Sequence, residues 1–524
     1  MLCSCQFVCL PLRLSNDMKA ETIIELLKAG ADDAPALSTP GGTPLSYRAL
    51  RALVIETIGA LAERGVGAND RVAIVLDNGP EMAAAFLAIA SGATAAPLNP
   101  GYRADEFEFY LTDLRAKLLV VGKDKDSPCV AVAKKLDIPI ARLVAHPDRG
   151  AGTCALEFAG SPKAVNRQPS ATEAAHTVLV LHTSGTTSRP KIVPLSNANV
   201  CASAHNVAAS LHLTESDRGL VIMPLFHIHG LIAALLAPLA VGGEVCCSTG
   251  FNALKFFSWL GETRPTWYSG VPTMHQAILT RVANNKDVLA SHRLRFIRSS
   301  SSSLPTRVIT EVESVFGVPI IEAYGMTEAA HQMASNALPP KRRKPGTVGP
   351  AAGPEIRIAD LKGKTVPTGA TGEIVIRGPN VMKEYENNPT ANADAFHGDW
   401  FRTGDQGTMD ADSYVSITGR LKEIINRGGE KISPREVDEI LMEHPAVHQC
   451  VTFGMPHDML GEEVAAAVVL KQGAQSTEKE LREFARVKLA DFKVPKKILI
   501  LETIPVGATG KLQRIGLAQK LGLG

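Results

Sequence analysis

The chain has 524 residues, too many for one ordinary core, so at least two domains are expected. With 45% hydrophobic and 21% charged residues it is neither a disordered chain nor a disulfide-stapled miniprotein. Its 5% aromatics and net charge of +2 leave no electrostatic or stacking footprint for nucleic acid. Residues 1–17 hold Cys3, Cys5 and Cys9 and a short apolar run with no basic start, so they read as a disordered extension, with Met18 as an alternative initiator. A strand over 72–76, a helix over 81–90, a helix over 105–114 and a strand over 118–121 follow. Next come a strand over 178–181, a helix over 197–211, a strand over 296–299, a helix over 305–316 and a strand over 320–323. This βαβ alternation predicts an α/β fold of parallel sheets covered by helices. Segment 219–243 lacks Asp, Glu, Lys and Arg and is long enough to span a bilayer, yet Pro224, His227, His229, Gly230 and Pro238 interrupt it. A strand over 220–223, a polar turn and a buried helix are expected there, with no membrane span. From residue 350 the strands over 355–359, 373–377 and 414–418 are joined by Gly/Pro/Asp turns, which predicts a β-rich subdomain. An α+β pattern then returns, with helices over 434–442 and 478–489 and strands over 464–470 and 498–501. The expected domains are 18–420, with its β-rich part at about 350–420, and 421–524. Nine cysteines without a C-x-x-C or a zinc-like spacing read as reduced thiols of an intracellular protein. With no readable address and Gly522-Leu523-Gly524 in place of a Ser-Lys-Leu signal, a cytoplasmic location is expected over a peroxisomal one.

Four motifs carry chemistry. In Leu179-Val-Leu-His-Thr-Ser-Gly-Thr-Thr-Ser-Arg-Pro-Lys191 an apolar strand enters a loop dense in Ser, Thr and Gly and closed by a lysine. Small residues let backbone N–H groups approach a polyphosphate, hydroxyls of Thr183, Ser184, Thr186 and Thr187 add donors, and Lys191 adds charge. It is not a Walker A loop. In Glu322-Ala-Tyr-Gly-Met-Thr-Glu328, at the end of an apolar strand, Glu328 suits Mg²⁺ and Tyr324 suits a purine face. Asp399-Trp-Phe-Arg-Thr-Gly-Asp405 with Thr418-Gly-Arg420 offers a carboxylate for ribose hydroxyls, and Pro505-Val-Gly-Ala-Thr-Gly-Lys511 offers a lysine on a Gly-rich loop. Taken singly, the last two motifs also fit an ordinary turn and an exposed lysine.

In this order and spacing the set resembles the adenylate-forming enzymes: acyl-CoA synthetases, luciferases and peptide-synthetase adenylation domains. The resemblance covers roughly residues 20–515. It implies a reaction of a small carboxylic acid with ATP to give an acyl-adenylate and pyrophosphate, followed by displacement of AMP by the thiol of coenzyme A. It further implies that Thr183, Ser184, Gly185, Thr186, Thr187 and Lys191 cover the phosphates, and that Tyr324 and Gly325 line the adenine slot. Thr327 would hold the α-phosphate, Glu328 would ligate Mg²⁺, and Asp405 with Arg420 would hold the ribose. Lys511 would bridge the acid and the α-phosphate. The small C-terminal domain would swing about Lys422, withdrawing Lys511 and bringing Lys431 to the thioester step, with Gly428 and Gly429 flanking the pantetheine tunnel.

The expected acid pocket lies among Pro224–Gly230, 269–272, the run Arg298-Ser-Ser-Ser-Ser-Ser303 and Ala329-Ala-His331. An aromatic or fatty acid would want a mainly apolar tunnel, whereas these segments offer hydroxyls and imidazoles. A small dicarboxylate needs its second carboxylate satisfied. His227, Ser301 and His331 are the expected donors. Within the family the chain is similar to the oxalate–CoA ligases, through Ala95–Tyr110, His182–Lys191, the serine run, Glu328–His331 and Asn426–Ser433. A medium-chain, malonate-like or coumarate-like acid is the alternative. A binding protein that has lost the chemistry is disfavoured by the joint presence of Glu328, Asp405 and Lys511.

Overall fold

A computed structural model of the protein describes residues 19–125, 127–159, 168–183, 190–505 and 514–524. The extension 1–17 with Met18, and Ser184, Gly185, Thr186, Thr187 and Lys511, lie outside the described residues. Two largely parallel sheets dominate. The first runs in the order Cys154–Phe158, Ile140–Ala145, Leu118–Gly122, Arg71–Val75, Thr94–Pro97, Thr177–Thr183, Lys191–Ser196, with antiparallel pairs only at its two edges. The second runs His331–Ser335, Ile320–Met326, Phe296–Ser299, Trp267–Gly270, Arg218–Val221, Glu244–Cys247, Pro35–Ser38, Leu45–Ser46, again antiparallel only at the edges. Residues 72–75 and 118–121 are buried on both faces, which is why they read as aliphatic runs without alternation. Helix Pro80–Gly92 packs against strands of both sheets and buries every residue except Glu81. Its run of Ala, Phe, Leu, Ile and Met is apolar all round because it is covered all round.

An antiparallel sheet follows, of strands Glu355–Ala359, Gly372–Arg377, Trp400–Met409, Phe396–His397 and Val415–Arg420. The C-terminal part is a separate five-stranded sheet, Glu430–Ile432, Ile425–Arg427, Gly461–Leu470, Val447–His457 and Lys497–Ile500. Helices Pro434–Met442 and Glu478–Lys488 cover one face through Val437, Leu441, Leu481 and Ala485, and Leu517 and Ala518 pack on the other. The fold is the expected α/β architecture.

Three strands run further than the aliphatic pattern suggests, and each extension carries site residues. The 178–181 strand extends to Thr183 because Lys191–Ser196 pairs with it antiparallel. The 320–323 strand extends through Tyr324, Gly325 and Met326 because His331–Ser335 folds back on it. The 414–418 strand is Val415–Arg420, which brings Arg420 opposite Asp405. The strand expected over 220–223 is Arg218–Val221, two residues earlier, and the rest of the charge-free segment holds a buried π-helix, His229–Leu236. Among the described residues no helix is long and apolar enough to cross a membrane.

Candidate active site

Residues of the first three sheets meet at one place. Thr183 and Lys191 are a cross-strand pair at the mouth of the Ser/Thr/Gly loop, so this loop joins two strands. The Thr183 hydroxyl is buried and has no hydrogen-bond partner among the described residues. An orphaned donor at such a mouth fits an anionic ligand. The Lys191 ammonium lies 3.8 Å from the ring centroid of Tyr385, and the Tyr385 hydroxyl donates to Glu328 Oε1 at 2.8 Å. Burial lowers the pKa of Lys191; the Glu328 carboxylate opposes that shift and the charge of Lys422 adds to it. Glu328 is buried in the short 3-10 turn Thr327–Ala329, directly after the strand that carries Tyr324 and Gly325. Asp405 accepts from Arg420 Nε at 2.8 Å on one oxygen and from the Tyr324 hydroxyl on the other. Arg420 is held charged by Asp405, and burial together with Asp405 pushes the Tyr324 phenol well up. Glu328 Oε2 carries no hydrogen bond among the described residues. One such carboxylate, linked to Lys191 through Tyr385, fits Mg²⁺, which takes one or two protein carboxylates and completes its shell with phosphates and water.

The segments expected to wall the acid pocket meet around a buried cation. Arg298 points from the second sheet and is fully buried. Its Nη1 donates to His229 Nε2 at 3.2 Å and to Ser269 Oγ at 3.3 Å; its Nη2 donates to His331 Nε2 at 3.0 Å and to Gln332 Oε1 at 3.1 Å. No described carboxylate pairs with it, its Nε has no partner among the described residues, and burial pulls its pKa down to about 9. His229 and His331 stack with centroids 4.8 Å apart, and Ser301 Oγ lies 2.9 Å from His229 Nδ1. His331 sits at φ +97° and Ala330 at φ +46°, conformations that cost about 1–3 kcal/mol each and persist where surrounding contacts impose them. Here Asn380 Nδ2 holds the turn by donating to the carbonyls of Ala329 and Gln332 at 2.8 and 2.9 Å. A Cβ at Gly325 would lie 1.9 Å from the His331 carbonyl oxygen, so glycine is required for the strand to pass this turn.

Of the expected acid contacts, Ser301 and His331 both reach this cluster. His227, two residues before His229, makes its ring contact with Phe226, at 4.6 Å. Arg298 and His229 lie in the segments expected to wall the acid pocket but are not among its expected donors; Tyr385 is not an expected site residue. A charged residue in the apolar strand Phe296–Ser299 was the available signal for Arg298; nothing local singles out Tyr385.

In the C-terminal domain Gly428 (φ +58°) and Gly429 (φ +97°) form the two-residue turn between Ile425–Arg427 and Glu430–Ile432. Such a tight hairpin demands positive φ at both positions, and glycine supplies it. Lys431 pairs across the hairpin with Asn426 and is exposed, and Lys422 is exposed in the turn after Arg420.

A Ser/Thr/Gly loop between two paired strands, a buried carboxylate linked to its closing lysine through Tyr385, and an Asp–Arg–Tyr cluster suit adenylate formation, and the chain belongs to the AMP-binding enzymes, the adenylate-forming superfamily. The family model for AMP-binding enzymes matches residues 27–386, and that for the AMP-binding enzyme C-terminal domain matches 436–511. The chain is 43% identical to an oxalate–CoA ligase of Arabidopsis thaliana over 96% of this chain and 99% of that one. It is 41% identical to an oxalate–CoA ligase of Saccharomyces cerevisiae over 86% and 87%. The crystal structure of ATP-bound MatB from Rhodopseudomonas palustris superposes with a TM-score of 0.85 at 30% identity, covering 95% of this chain and 98% of that one. The protein is an AMP-forming acid–CoA ligase with ATP and CoA as substrates.

Proposed function

We propose that the acid is oxalate, converted with ATP and CoA to oxalyl-CoA, AMP and diphosphate through an enzyme-bound oxalyl-adenylate. The observation that carries this reading is Arg298, a fully buried guanidinium with no carboxylate among its described hydrogen-bond partners. A buried charge without a counter-ion is costly, and an acid bringing a second carboxylate offsets that cost where a fatty or aromatic acid cannot. Ser301 and His331 then present donors to that carboxylate, and the similarity to two oxalate–CoA ligases supports the same choice.

For the first half-reaction, the loop from Thr183 to Lys191, including Ser184, Gly185, Thr186 and Thr187, holds the β- and γ-phosphates. Tyr324 and Gly325 line the adenine slot, Asp405 and Arg420 hold the ribose, and Thr327 contacts the α-phosphate. Glu328 holds Mg²⁺, which supplies charge neutralisation to the phosphates. Lys511 offsets the charge developing between the acid oxygen and the α-phosphorus as diphosphate leaves. For the second, the domain beyond Lys422 turns, Lys511 withdraws, and Lys431 attends the attack of the CoA thiol while Gly428 and Gly429 leave room for the pantetheine. The test is the kcat/KM for diphosphate release with oxalate, malonate, acetate, hexanoate and coumarate. Oxalate is expected to lead; a higher value for malonate or for any monocarboxylate contradicts the reading.

A further inference from the structure

The donor that Ser301 offers to the acid depends on a second histidine. His229 opens the π-helix His229–Leu236, a turn type concentrated at functional sites. A Cβ on the next residue, Gly230, would lie 2.2 Å from the Pro224 carbonyl, so glycine there lets the helix start tight against the preceding turn, with His229 buried. Its two ring nitrogens meet different partners. Nε2 faces Arg298 Nη1 at 3.2 Å and Ser269 Oγ at 2.6 Å, and Nδ1 faces Ser301 Oγ at 2.9 Å. A guanidinium can only donate. Nε2 is therefore the acceptor, which leaves the ring proton on Nδ1 and makes Nδ1–H donate to Ser301 Oγ. One lone pair of the Ser301 oxygen is thereby taken, and its O–H, which cannot donate to His229 Nδ1–H, is left to donate elsewhere. Ser301 is half-buried, at φ +70°, and is linked to the fully buried Arg298 through His229. Arg298 Nη2 imposes the same tautomer on His331, whose Nε2 accepts from it at 3.0 Å. One permanent cation thus fixes the protons of two stacked imidazoles.

We infer that His229 is a positioning residue for acid recognition: through its Nδ1–H it commits Ser301 to donate a hydrogen bond to the carboxylate of the acid. This rests on the oxalate reading for the identity of the acid, but the relay is a property of the pair and is measurable with whichever acid the wild type converts best.

The test is a double-mutant cycle of His229→Ala and Ser301→Ala, read as KM for the acid, kcat and KM for ATP. Each single variant is expected to raise the acid KM roughly tenfold, the scale of one hydrogen bond to a charged group, while the ATP KM stays within about twofold. The double variant is expected to be no worse than Ser301→Ala alone. Two further variants separate the relay from packing. His229→Asn places an amide N–H near the Nδ1 position and is expected to recover most of the acid KM. His229→Gln reaches the Nε2 position and is expected not to. Multiplicative losses in the double variant, or equal behaviour of Asn and Gln, overturn the inference. A wild type that ignores oxalate but shows the relay with malonate overturns the substrate reading and leaves His229 in this role.

Discussion

Lys191 rests on the ring of Tyr385, its ammonium 3.8 Å from the centroid, and the same phenol donates to Glu328 at 2.8 Å. One side chain from the segment after strand Gly372–Arg377 therefore sets the distance between the cation that closes the Ser/Thr/Gly loop and the carboxylate proposed to hold the metal. Tyr385→Phe keeps the ring and removes the donor. The Mg²⁺ concentration for half-maximal rate is expected to rise about 5–20-fold, from a hydrogen bond to a charged group worth ~1–2 kcal/mol. Tyr385→Leu removes the ring as well and is expected to raise the ATP KM further, by the ~0.5–1 kcal/mol of a cation–π contact. A Mg²⁺ titration of Tyr385→Phe that superimposes on wild type contradicts this arrangement.

Arg298 is a case where function and stability oppose each other. Replacing a buried, uncompensated charge by a side chain of similar length removes a desolvation cost. Arg298→Met is expected to melt at or above the wild-type temperature while losing on the order of 100-fold in kcat/KM for oxalate, the scale of losing a charge partner worth ~3 kcal/mol. Thermal unfolding and steady-state rates on the same preparation decide it. A melting point several degrees lower would place Arg298 among the groups that hold the fold.

Gly325→Ala tests the turn that carries His331. The new methyl would lie 1.9 Å from the His331 carbonyl oxygen, a backbone atom that cannot rotate away. The Ala330–His331 turn must shift, so the acid KM is expected to rise and the melting temperature to fall by several degrees, from about 1–3 kcal/mol of strain. A variant with wild-type acid KM would show that His331 does not need its observed position.

Glu322 gives a pH signature. Burial raises its pKa to about 8, against the opposing effects of the Gly346 amide, Arg435 and Arg343. The folded chain therefore holds a proton that the unfolded chain releases near pH 4.5, so this residue costs stability progressively as pH rises from about 4.5 to about 8. Glu322→Gln keeps an oxygen for the Gly346 N–H, which now donates to Glu322 Oε2 at 3.2 Å. The variant is expected to melt with wild type near pH 5 and above it at pH 8, the gap widening between. A gap independent of pH contradicts the buried protonated carboxyl.

Much of this site can be read in the sequence because its residues sit where one pattern breaks into another. The Ser/Thr/Gly loop follows an aliphatic strand, and Tyr324 to Glu328 end another, so the ends of strands and the proposed chemistry coincide there. The antiparallel strands that complete these hairpins, Lys191–Ser196 and His331–Ser335, are short and polar at their ends, and their pairing is a tertiary fact that no local period encodes. The same holds for Tyr385, whose role comes from reaching Glu328 across 57 positions of sequence. Between His227 and His229 the sequence offers two imidazoles; the π-turn beginning at His229 and the close fit of Gly230 bring the second one to Ser301. Arg298 reads as one more residue of a polar run until its neighbours in space are known, when it becomes the one charge among two histidines, a serine and a glutamine.

A competition reaction puts the whole scheme to one reading: enzyme, ATP, Mg²⁺ and limiting CoA with oxalate, malonate, acetate, hexanoate and coumarate at equal concentration, the thioesters separated and quantified by mass spectrometry. Oxalyl-CoA is expected to exceed every other product by at least tenfold in the wild type, and to lose that lead in Arg298→Met. Predominance of hexanoyl-CoA or coumaroyl-CoA in the wild type would contradict an acid pocket organised around a buried guanidinium.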